Sequence, residues 1–363
     1  MPASPEPIEA VSQRLDKFLS DQLSYAAMLG PEAEALTRSG AAALRGGKRL
    51  RARFCLTGWR AVDELDHPEA HGLDDAALAV ASSLEVFHAA ALVHDDLVDN
   101  SDTRRGQPAA HRALQNAHGE AGWTGDPETF GRSGAILLGD LLVAWSDDLL
   151  EEGLDGAATA GATRRAYARM RRDVTIGQFL DVAEESAHVV YPDDTHAERA
   201  LRIASYKSAR YSIQQPLLIG AELAGADDAQ LEALGHFGHD VGMAFQLRDD
   251  VLGVFGDSVV TGKPVGDDLR EGKRTVLVAY ARESLPEAER REIDALLGDA
   301  TLDADRIAGL QRTIVDTGAL ARTEELIADY ARRADAALTD ARLGASAVGE
   351  LRALARAATE RSA

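Results

Sequence analysis

Two groups of aspartates that follow apolar helical segments are the clearest candidates for chemistry in this chain. The first lies in LVHDDLVDNSDTRR, residues 92–105, where Asp95, Asp99 and Asp102 recur at intervals of four and three residues. On a helix this spacing places them along one face, with Asp96 beside them. Like charges at such intervals repel, so the group favours a bound cation, and oxygen ligands select Mg²⁺ or Ca²⁺. A solvated acidic helix end is the alternative.

The second group lies in FQLRDDVLGVFGD, residues 245–257, and again follows an apolar helical run. Asp249 and Asp250 are adjacent, and Gln246 precedes Asp249 by one turn on the same face. Two acidic groups at the polar ends of two helices could face one another across a cavity and hold several Mg²⁺ ions between them. Together the two groups indicate a metal site more specifically than either does alone.

Lysines mark the segments that could bind phosphate, because the chain has only five of them among 39 basic residues. In GGKRLR, residues 46–51, the glycines free backbone N–H groups, and Lys48 and Arg51 could bind a phosphate where the next helix begins. This segment is not a P-loop, since Arg49 stands where Ser or Thr would follow the lysine. Other lysines lie in similarly suitable segments, at Lys207, Lys263 and Lys273.

Two histidines precede the first aspartates but lie six residues apart, which does not suit a zinc pair on one helix face. His88 could donate a hydrogen bond to a phosphate oxygen. His94 is expected to be a hydrogen-bonded structural residue. The single cysteine, Cys55, is expected to be a buried core residue.

The composition excludes several classes of partner. The chain has 363 residues and a net charge of −21, which disfavours nucleic acid and anionic membrane surfaces. A single cysteine cannot form an internal disulfide, so a reducing compartment, the cytoplasm, is expected. The apolar stretch at 134–145 contains Asp140 and is too short to span a bilayer, so no membrane insertion is expected.

The elements that must position these residues are predicted to be helices. Apolar residues recur at helical spacing in most long segments, and aromatic residues make up only 5% of the chain. Pro216 interrupts one helical pattern, which predicts a kink. No linker-like segment divides the chain, so we expect a flexible tail at 1–7 followed by one large all-helical domain over 8–363.

The motifs also resemble those of a known family. HDDLVD followed by RRG, GGKRLR, GQFLD at 177–181, YKSA and FQLRDD resemble the trans-isoprenyl diphosphate synthases, or polyprenyl synthetases, and fall between about residues 40 and 280. The resemblance implies an all-α bundle of long helices around a central cavity, usually as a homodimer. It also implies a prenyltransferase that condenses isopentenyl diphosphate with an allylic diphosphate, using three Mg²⁺ ions per active site.

The resemblance further assigns roles to individual residues. It places Mg²⁺ at the first motif, Asp95, Asp96 and Asp99, and at the second motif, Asp249 and Asp250. It places isopentenyl diphosphate at Lys48, Arg51, His88 and Arg105. It places the allylic diphosphate at Arg104, Gln178, Lys207, Ser208, Gln246 and Lys263, and it makes Arg104, Lys207 and Lys263 catalytic together with the aspartates. Gly253 stands where the second motif usually has a third aspartate, which leaves its Mg²⁺ affinity open.

The product is predicted from the helix that carries the first aspartates. Ala90 and Ala91 lack bulk one turn before Asp95, and Phe87 lies one turn deeper. A turn is about 5.4 Å, on the order of one isoprene unit. Phe87 as a floor favours geranylgeranyl (C20) diphosphate, with farnesyl or C25 and longer products as alternatives; Phe87 could also be an ordinary core residue.

Two other activities are compatible with an aspartate-rich helix. A class I terpene cyclase would lack the isopentenyl diphosphate site, whereas Lys48, Arg51 and Arg105 are present. A non-catalytic synthase subunit would be expected to have lost aspartates or lysines that this chain retains.

Overall fold

The computed structural model describes residues 6–67, 74–256 and 265–359, and these are almost entirely helical. The α-helices are α1 Pro7–Ala27, α2 Pro31–Ala43, α3 Leu50–Asp66, α4 Asp75–Val98, α5 Ala110–Glu120, α6 Pro127–Leu154, α7 Ala160–Ala187, α8 His196–Ile203, α9 Gln215–Leu223, α10 Asp228–Phe255, α11 Asp267–Glu271, α12 Val276–Glu283, α13 Glu287–Leu296, α14 Ala304–Asp316, α15 Ala319–Ala337 and α16 Ala345–Thr359. The all-α fold class is confirmed. Because α1 begins at Pro7, the last residue of the predicted tail is helical.

Four short elements complete the described chain. A π-helix, Ala204–Gln214, joins α8 to α9. Two 3₁₀ helices, His188–Val190 and Asp193–Thr195, lie between α7 and α8. A two-stranded antiparallel hairpin, β1 Thr103–Arg104 and β2 Gln107–Pro108, follows α4.

The first of two compact units comprises Met1–Trp59 and His67–Gly161. Its centre is α4, which packs against α6 and α1, while α5 packs on α6. Leu84 of α4 and Leu138 and Leu142 of α6 are fully buried. Burying a leucine side chain contributes about 1.5–3 kcal/mol, so this pair of helices is the rigid base for the end of α4.

The second compact unit comprises Arg60–Asp66 and Ala162–Ala363. Its centre is α10, which packs against the π-helix, α9, α15 and α16. Buried residues of α10 include Phe237, Leu247 and Val251. A capping box formed by Asp227 and Gln230 fixes the start of α10. The single domain predicted over 8–363 stays a prediction.

Helix α4 is both long and strongly apolar. By length and composition alone, Asp75–Val98 could cross a membrane, and it is a longer apolar segment than 134–145. However, 72% of its most apolar stretch is buried inside the fold. That burial is typical of the core helix of a globular protein.

At Pro216, where a kink was predicted, the structure has a change of helix type. The chain adopts a π-helix up to Gln214, and Pro216 lies in the first turn of α9. Proline has no N–H and fixes its own φ, so it suits the first turn of a helix. It cannot donate the backbone hydrogen bond that would continue the preceding helix. Pro216 therefore marks a boundary between two helix types.

Candidate active site

The first aspartate motif lies at the carboxyl end of α4. Asp95 is half-buried, Asp96 is buried, and Asp99 is the exposed residue that ends the helix. Asn100 has a φ of 54°, which turns the chain away from the helix axis. Asp102 therefore lies outside α4 and pairs with Arg112, at 2.7 Å, so the predicted helical stripe through Asp102 is wrong.

Arg104 on β1 is held by this motif. Its Nε donates a hydrogen bond of 2.8 Å to Asp96 Oδ1, and its Nη2 donates to the same oxygen. The Arg104 Nη2 atom also lies 3.7 Å from Asp95 Oδ2. Burial raises the pKa of Asp96, although the ion pair with Arg104 opposes that shift. Arg104 is thus positioned beside both aspartates.

Arg105 and Gly106 form the two-residue turn of the β1–β2 hairpin. Both have positive φ, 53° and 73°, as a type I′ turn requires. An arginine in the left-handed region costs roughly 1–2 kcal/mol. Arg105 is held there by a hydrogen bond of 2.9 Å from its Nη1 to the Arg45 carbonyl, and its guanidinium lies over Gly47.

The segment Gly46–Arg49 before α3 is fixed by a buried carboxylate. Glu85 of α4 accepts a hydrogen bond of 3.0 Å from the Ala52 backbone in the first turn of α3. Its Oε2 lies 3.7 Å from Arg49 Nη1, and Arg49 has a φ of 49°. Exposed Lys48 precedes α3. Glu85 was missed from the sequence, although a glutamate inside an apolar helix is itself a signal of a structural role.

His88 lies among arginines in the same unit. Burial lowers its pKa well below the ordinary value, and the positive charges of Arg51, Arg105 and Arg104 lower it further. The imidazole is therefore neutral and can donate one hydrogen bond. Arg51 and Arg105 lie near His88, and guanidinium groups around a neutral donor suit a diphosphate, whereas Lys48 is exposed just before α3.

Replacing Gly47 with alanine is expected to weaken binding selectively at the site around Arg105, which the resemblance of the sequence motifs assigns to isopentenyl diphosphate. The new Cβ would lie 2.9 Å from Arg105 Nη2, and the φ of 87° is unfavourable for alanine. We expect KM for isopentenyl diphosphate to rise about tenfold, with KM for the allylic substrate unchanged. Gly122→Ala is the control, since Gly122 also has positive φ but no neighbour within 4 Å. Equal effects of both substitutions on KM would contradict the prediction.

In the second unit, Lys207 and Ser208 lie half-buried on the π-helix. The Lys207 ammonium pairs with Asp181 of α7, and Gln178 precedes Asp181 by one turn. Asp181 belongs to the GQFLD motif, but its pairing was not predicted. Segments of π-helix occur often at functional sites, because they aim side chains differently from an α-helix.

The second aspartate motif lies at the carboxyl end of α10. Asp249 is exposed, whereas Asp250 is buried and accepts a hydrogen bond of 2.7 Å from Gln246 Nε2. Burial raises the pKa of Asp250 to about 8, and the negative charges of Asp268 and Asp249 add to the increase. Gln246 therefore orients the buried carboxylate, and the predicted Lys263 lies outside the described residues.

Lys273, which the sequence placed in a segment suited to phosphate, forms an ion pair with Asp268 that was not predicted. Lys273 Nζ lies 3.0 Å from Asp268 Oδ1 and 2.8 Å from Glu271 Oε2. Burial alone would lower the pKa of Lys273, but these two carboxylates raise it. The scarcity of lysine did mark the segment of Lys273, but its pairing with Asp268 and Glu271 was not predicted.

The carboxylates of both units fit divalent metal ions that also bind substrate. Asp95 with Asp96, and Asp249 with Asp250, are oxygen donors in crowded negative surroundings. Within 6–67, 74–256 and 265–359, no group of three or more His, Cys, Asp or Glu side chains forms a ready metal cage. Mg²⁺ suits such a site, because it usually takes one or two carboxylates and completes its shell with water and phosphate.

Aspartates at the ends of two helices and arginines around His88 suit a metal-dependent enzyme that acts on diphosphate substrates. The polyprenyl synthetase family model matches residues 33–314, and the chain belongs to this family. It is therefore a prenyltransferase that uses a divalent metal.

Similar proteins have related names. A crystal structure of geranylgeranyl pyrophosphate synthase from Corynebacterium glutamicum, complexed with isoprenyl diphosphate and magnesium, is 39% identical, with a TM-score of 0.89 and coverage of 98% of both chains. Geranylfarnesyl diphosphate synthase of Aeropyrum pernix is 33% identical over 80% of this chain and 82% of its own length. Geranylgeranyl diphosphate synthase of Mycobacterium tuberculosis is 38% identical over 58% of this chain and 54% of its own length.

Proposed function

We propose that this protein condenses isopentenyl diphosphate with an allylic diphosphate and that geranylgeranyl diphosphate is its favoured product. One observation carries the proposal. The first unit combines carboxylates suited to Mg²⁺, at Asp95 and Asp96, with a separate group of basic and donor residues around His88. Two kinds of anion site suit a reaction between two diphosphates.

When bound, Mg²⁺ would supply Lewis-acid chemistry that neutralises the departing diphosphate, and we propose three ions per active site. Asp95, Asp96, Asp99, Asp249 and Asp250 would hold them. Arg104, Lys207 and Lys263 add positive charge where the leaving group becomes more negative. Because Asp96 fixes the Arg104 guanidinium, that charge is positioned before the reaction begins.

The reaction proceeds in three steps. The allylic C–O bond breaks and leaves its electron pair on diphosphate, so the prenyl group becomes a delocalised cation. The double bond of isopentenyl diphosphate supplies the electron pair for the new C–C bond, while Lys48, Arg51, His88 and Arg105 hold its diphosphate. Loss of a proton to the released diphosphate restores a double bond. Holding both substrates in attack geometry contributes several kcal/mol.

Incubation of the purified protein with Mg²⁺, isopentenyl diphosphate and each allylic primer tests this proposal. Dimethylallyl, geranyl and farnesyl diphosphate are all expected to be extended, with C20 as the main product. Absence of incorporation from every primer overturns the proposal.

Competing functions give different results in the same assay. Geranylfarnesyl diphosphate synthase among the relatives makes a C25 product the main competitor, which product sizing separates from C20 and from farnesyl diphosphate. A class I terpene cyclase would convert an allylic diphosphate to hydrocarbon without isopentenyl diphosphate. A non-catalytic subunit would be inactive alone and active with a partner synthase.

The proposed floor of the product site lies on α4. Phe87, Ala91 and Asp95 recur at intervals of four residues and share one stripe. Ala91 is half-buried, whereas Ala90 is fully buried and lies off this stripe. Phe87, which is buried, is therefore the first bulky side chain before Asp95 on this stripe.

Replacing Phe87 with alanine is expected to lengthen the product to C25 or beyond, because the stripe then lacks its bulky side chain. Val86→Ala is the control, since Val86 is buried on the same turn but off the stripe. Chromatographic sizing of products from farnesyl diphosphate measures the effect. An unchanged length profile for Phe87→Ala contradicts the floor.

We further propose a cytoplasmic homodimer. Exposed apolar side chains on and between α5 and α6 support a face that a second copy covers: Trp123, Phe130, Ile136 and Leu137. Sedimentation equilibrium measures the mass of the assembly and so tests the homodimer.

The single cysteine, Cys55, is buried, which suits a reducing compartment. The net charge of −21 and the burial of α4 support the expectation of neither nucleic acid binding nor membrane insertion.

A further inference from the structure

Three polar side chains of the second unit form a chain of hydrogen bonds between the π-helix and α10. Ser205 Oγ lies 3.3 Å from His239 Nε2, and His239 Nδ1 lies 3.2 Å from Asp240 Oδ1. An ionised aspartate only accepts hydrogen bonds, so His239 Nδ1 donates to Asp240 and His239 Nε2 accepts from the Ser205 hydroxyl. The carboxylate therefore orients the ring, and the ring binds the π-helix.

The order serine, histidine, aspartate is also that of a hydrolytic triad, in which the serine is a nucleophile. Here Ser205 is buried, with 7% of its surface exposed, so no substrate can reach its oxygen. Arg210 Nε also donates a hydrogen bond of 3.1 Å to Ser205 Oγ. The hydroxyl therefore donates to one neighbour and accepts from another, so it links the two helices and is not a nucleophile.

The α10 end of this chain of hydrogen bonds is anchored to α15. Arg333 Nε lies 3.3 Å from Asp240 Oδ2, and the Arg333 guanidinium lies 4.3 Å from the centre of the Tyr330 ring. The Tyr330 ring meets the His239 ring edge-on, with 6.4 Å between their centres. Tyr330 also packs against the core cluster that contains Ala209 of the π-helix. The His239 ring is therefore held in one orientation.

The turn of the π-helix that carries Ser205 also carries Lys207. Lys207 lies two residues after Ser205 and pairs with Asp181 of α7. Ser205 thus contacts α10, whereas Lys207 contacts α7. The hydrogen bond between Ser205 and His239 therefore restrains this turn from a second side.

We propose that His239, oriented by Asp240, is a positioning residue that holds the turn of the π-helix through Ser205 and so aims the Lys207 ammonium at the allylic diphosphate. The inference rests on the proposed function, because that function assigns the diphosphate to Lys207. Neither His239 nor Ser205 needs to touch a substrate, since both act through the backbone of the π-helix.

The scarcity of lysine allows a test of this position without turnover. The chain has only five lysines, so nuclear magnetic resonance of the full chain, isotope-labelled at lysine alone, gives few side-chain signals. The signal that is missing from Lys207→Arg identifies Lys207. Ser205→Ala and His239→Leu are each expected to shift the Lys207 signal, while those of Lys17 and Lys48 in the first unit stay in place.

Kinetics of the same variants show whether the position matters for the reaction. In Ser205→Ala and His239→Leu, kcat/KM for the allylic substrate is expected to fall about tenfold, as for loss of one buried hydrogen bond, with KM for isopentenyl diphosphate unchanged. His239→Gln retains an amide that can bond to Ser205 and is expected to recover most of this loss. His236→Leu is the matched control, because His236 is exposed one turn earlier on α10, and it should behave as the wild type does.

Three results would contradict the positioning role. A folded Ser205→Ala variant with a wild-type Lys207 signal overturns the proposal, even if its Tm falls. His239→Gln as impaired as His239→Leu also overturns it, since the hydrogen bond would then not be the cause. The same holds if His236→Leu matches His239→Leu in signal and rate. Lack of prenyl product from the wild type would instead overturn the proposed function, since the Lys207 signal is measured without turnover.

Discussion

Replacing Gly177 with alanine is expected to lower kcat/KM for the allylic substrate by about 100-fold. The added Cβ would lie 2.5 Å from the Lys207 backbone nitrogen and 2.6 Å from the Tyr206 carbonyl carbon. Backbone atoms cannot rotate away, so the π-helix must move and carry Lys207 with it. A displacement of about 1 Å in a positioning residue can cost 10²-fold in rate.

Gly242 of α10 limits the movement of the π-helix on another side. A Cβ on Gly242 of α10 would lie 2.5 Å from the Ala209 carbonyl oxygen of the same π-helix. The π-helix is therefore packed closely at Gly177 and at Gly242. Displacement by a methyl group at Gly177 cannot be absorbed by approach to α10.

Gly235→Ala is the matched control for Gly177→Ala. Both glycines lie inside helices, where alanine alone is favoured by about 0.5–1 kcal/mol. At Gly235 the nearest atoms are Leu218 methyl groups at 3.9 Å, which is an ordinary contact. Gly235→Ala should therefore be slightly more stable and fully active. Wild-type kinetics for Gly177→Ala would show that the position of the π-helix does not govern the reaction.

Replacing Asp95 with asparagine is expected to lower kcat by about 10³-fold at saturating substrates. Asparagine keeps the size of the side chain but removes the charge that binds Mg²⁺, and Lewis-acid stabilisation of a leaving group contributes several kcal/mol. Each 1.4 kcal/mol corresponds to a factor of ten in rate. Added Mg²⁺ should restore part of the activity, which a titration of rate against Mg²⁺ measures.

Asp102→Asn is the control that distinguishes metal binding by Asp95 from a general effect of removing one negative charge. Asp102 belongs to the same acidic segment, but it lies beyond the end of α4 and pairs with Arg112. Its replacement should leave kcat within twofold of the wild type. If Asp102→Asn and Asp95→Asn were equally damaging, net negative charge rather than the helix end would control the reaction.

Much of the fold and the site followed from local sequence. Helical periodicity gave the all-α class, and the order of the motifs gave the family. In the first unit, Lys48 and Arg51 flank the start of α3 and His88 lies on α4 near Arg51, while their joint role in binding a diphosphate stays a prediction. These are local relations, in which spacing along the chain fixes position in space.

The features that could not be predicted depend on tertiary contacts. The end of α4 depends on the left-handed Asn100, so spacing alone placed Asp102 wrongly. The contact between Gly253 and Asp268 joins residues that are fifteen apart in sequence and lie on different helices. The closeness of Gly177 to Lys207 depends on the packing of α7 against the π-helix, which sequence periodicity does not report.

The number of residues between α8 and α9 determines how the π-helix orients Lys207. The hydrogen bonds of a π-helix join residues five apart, whereas those of an α-helix join residues four apart. Deleting one residue between Ala204 and Lys207 would turn the Lys207 side chain toward another face relative to the preceding helix. This segment should therefore accept substitutions at exposed positions but no insertion or deletion. Within the family, gaps in this segment should distinguish enzymes whose lysine is presented differently.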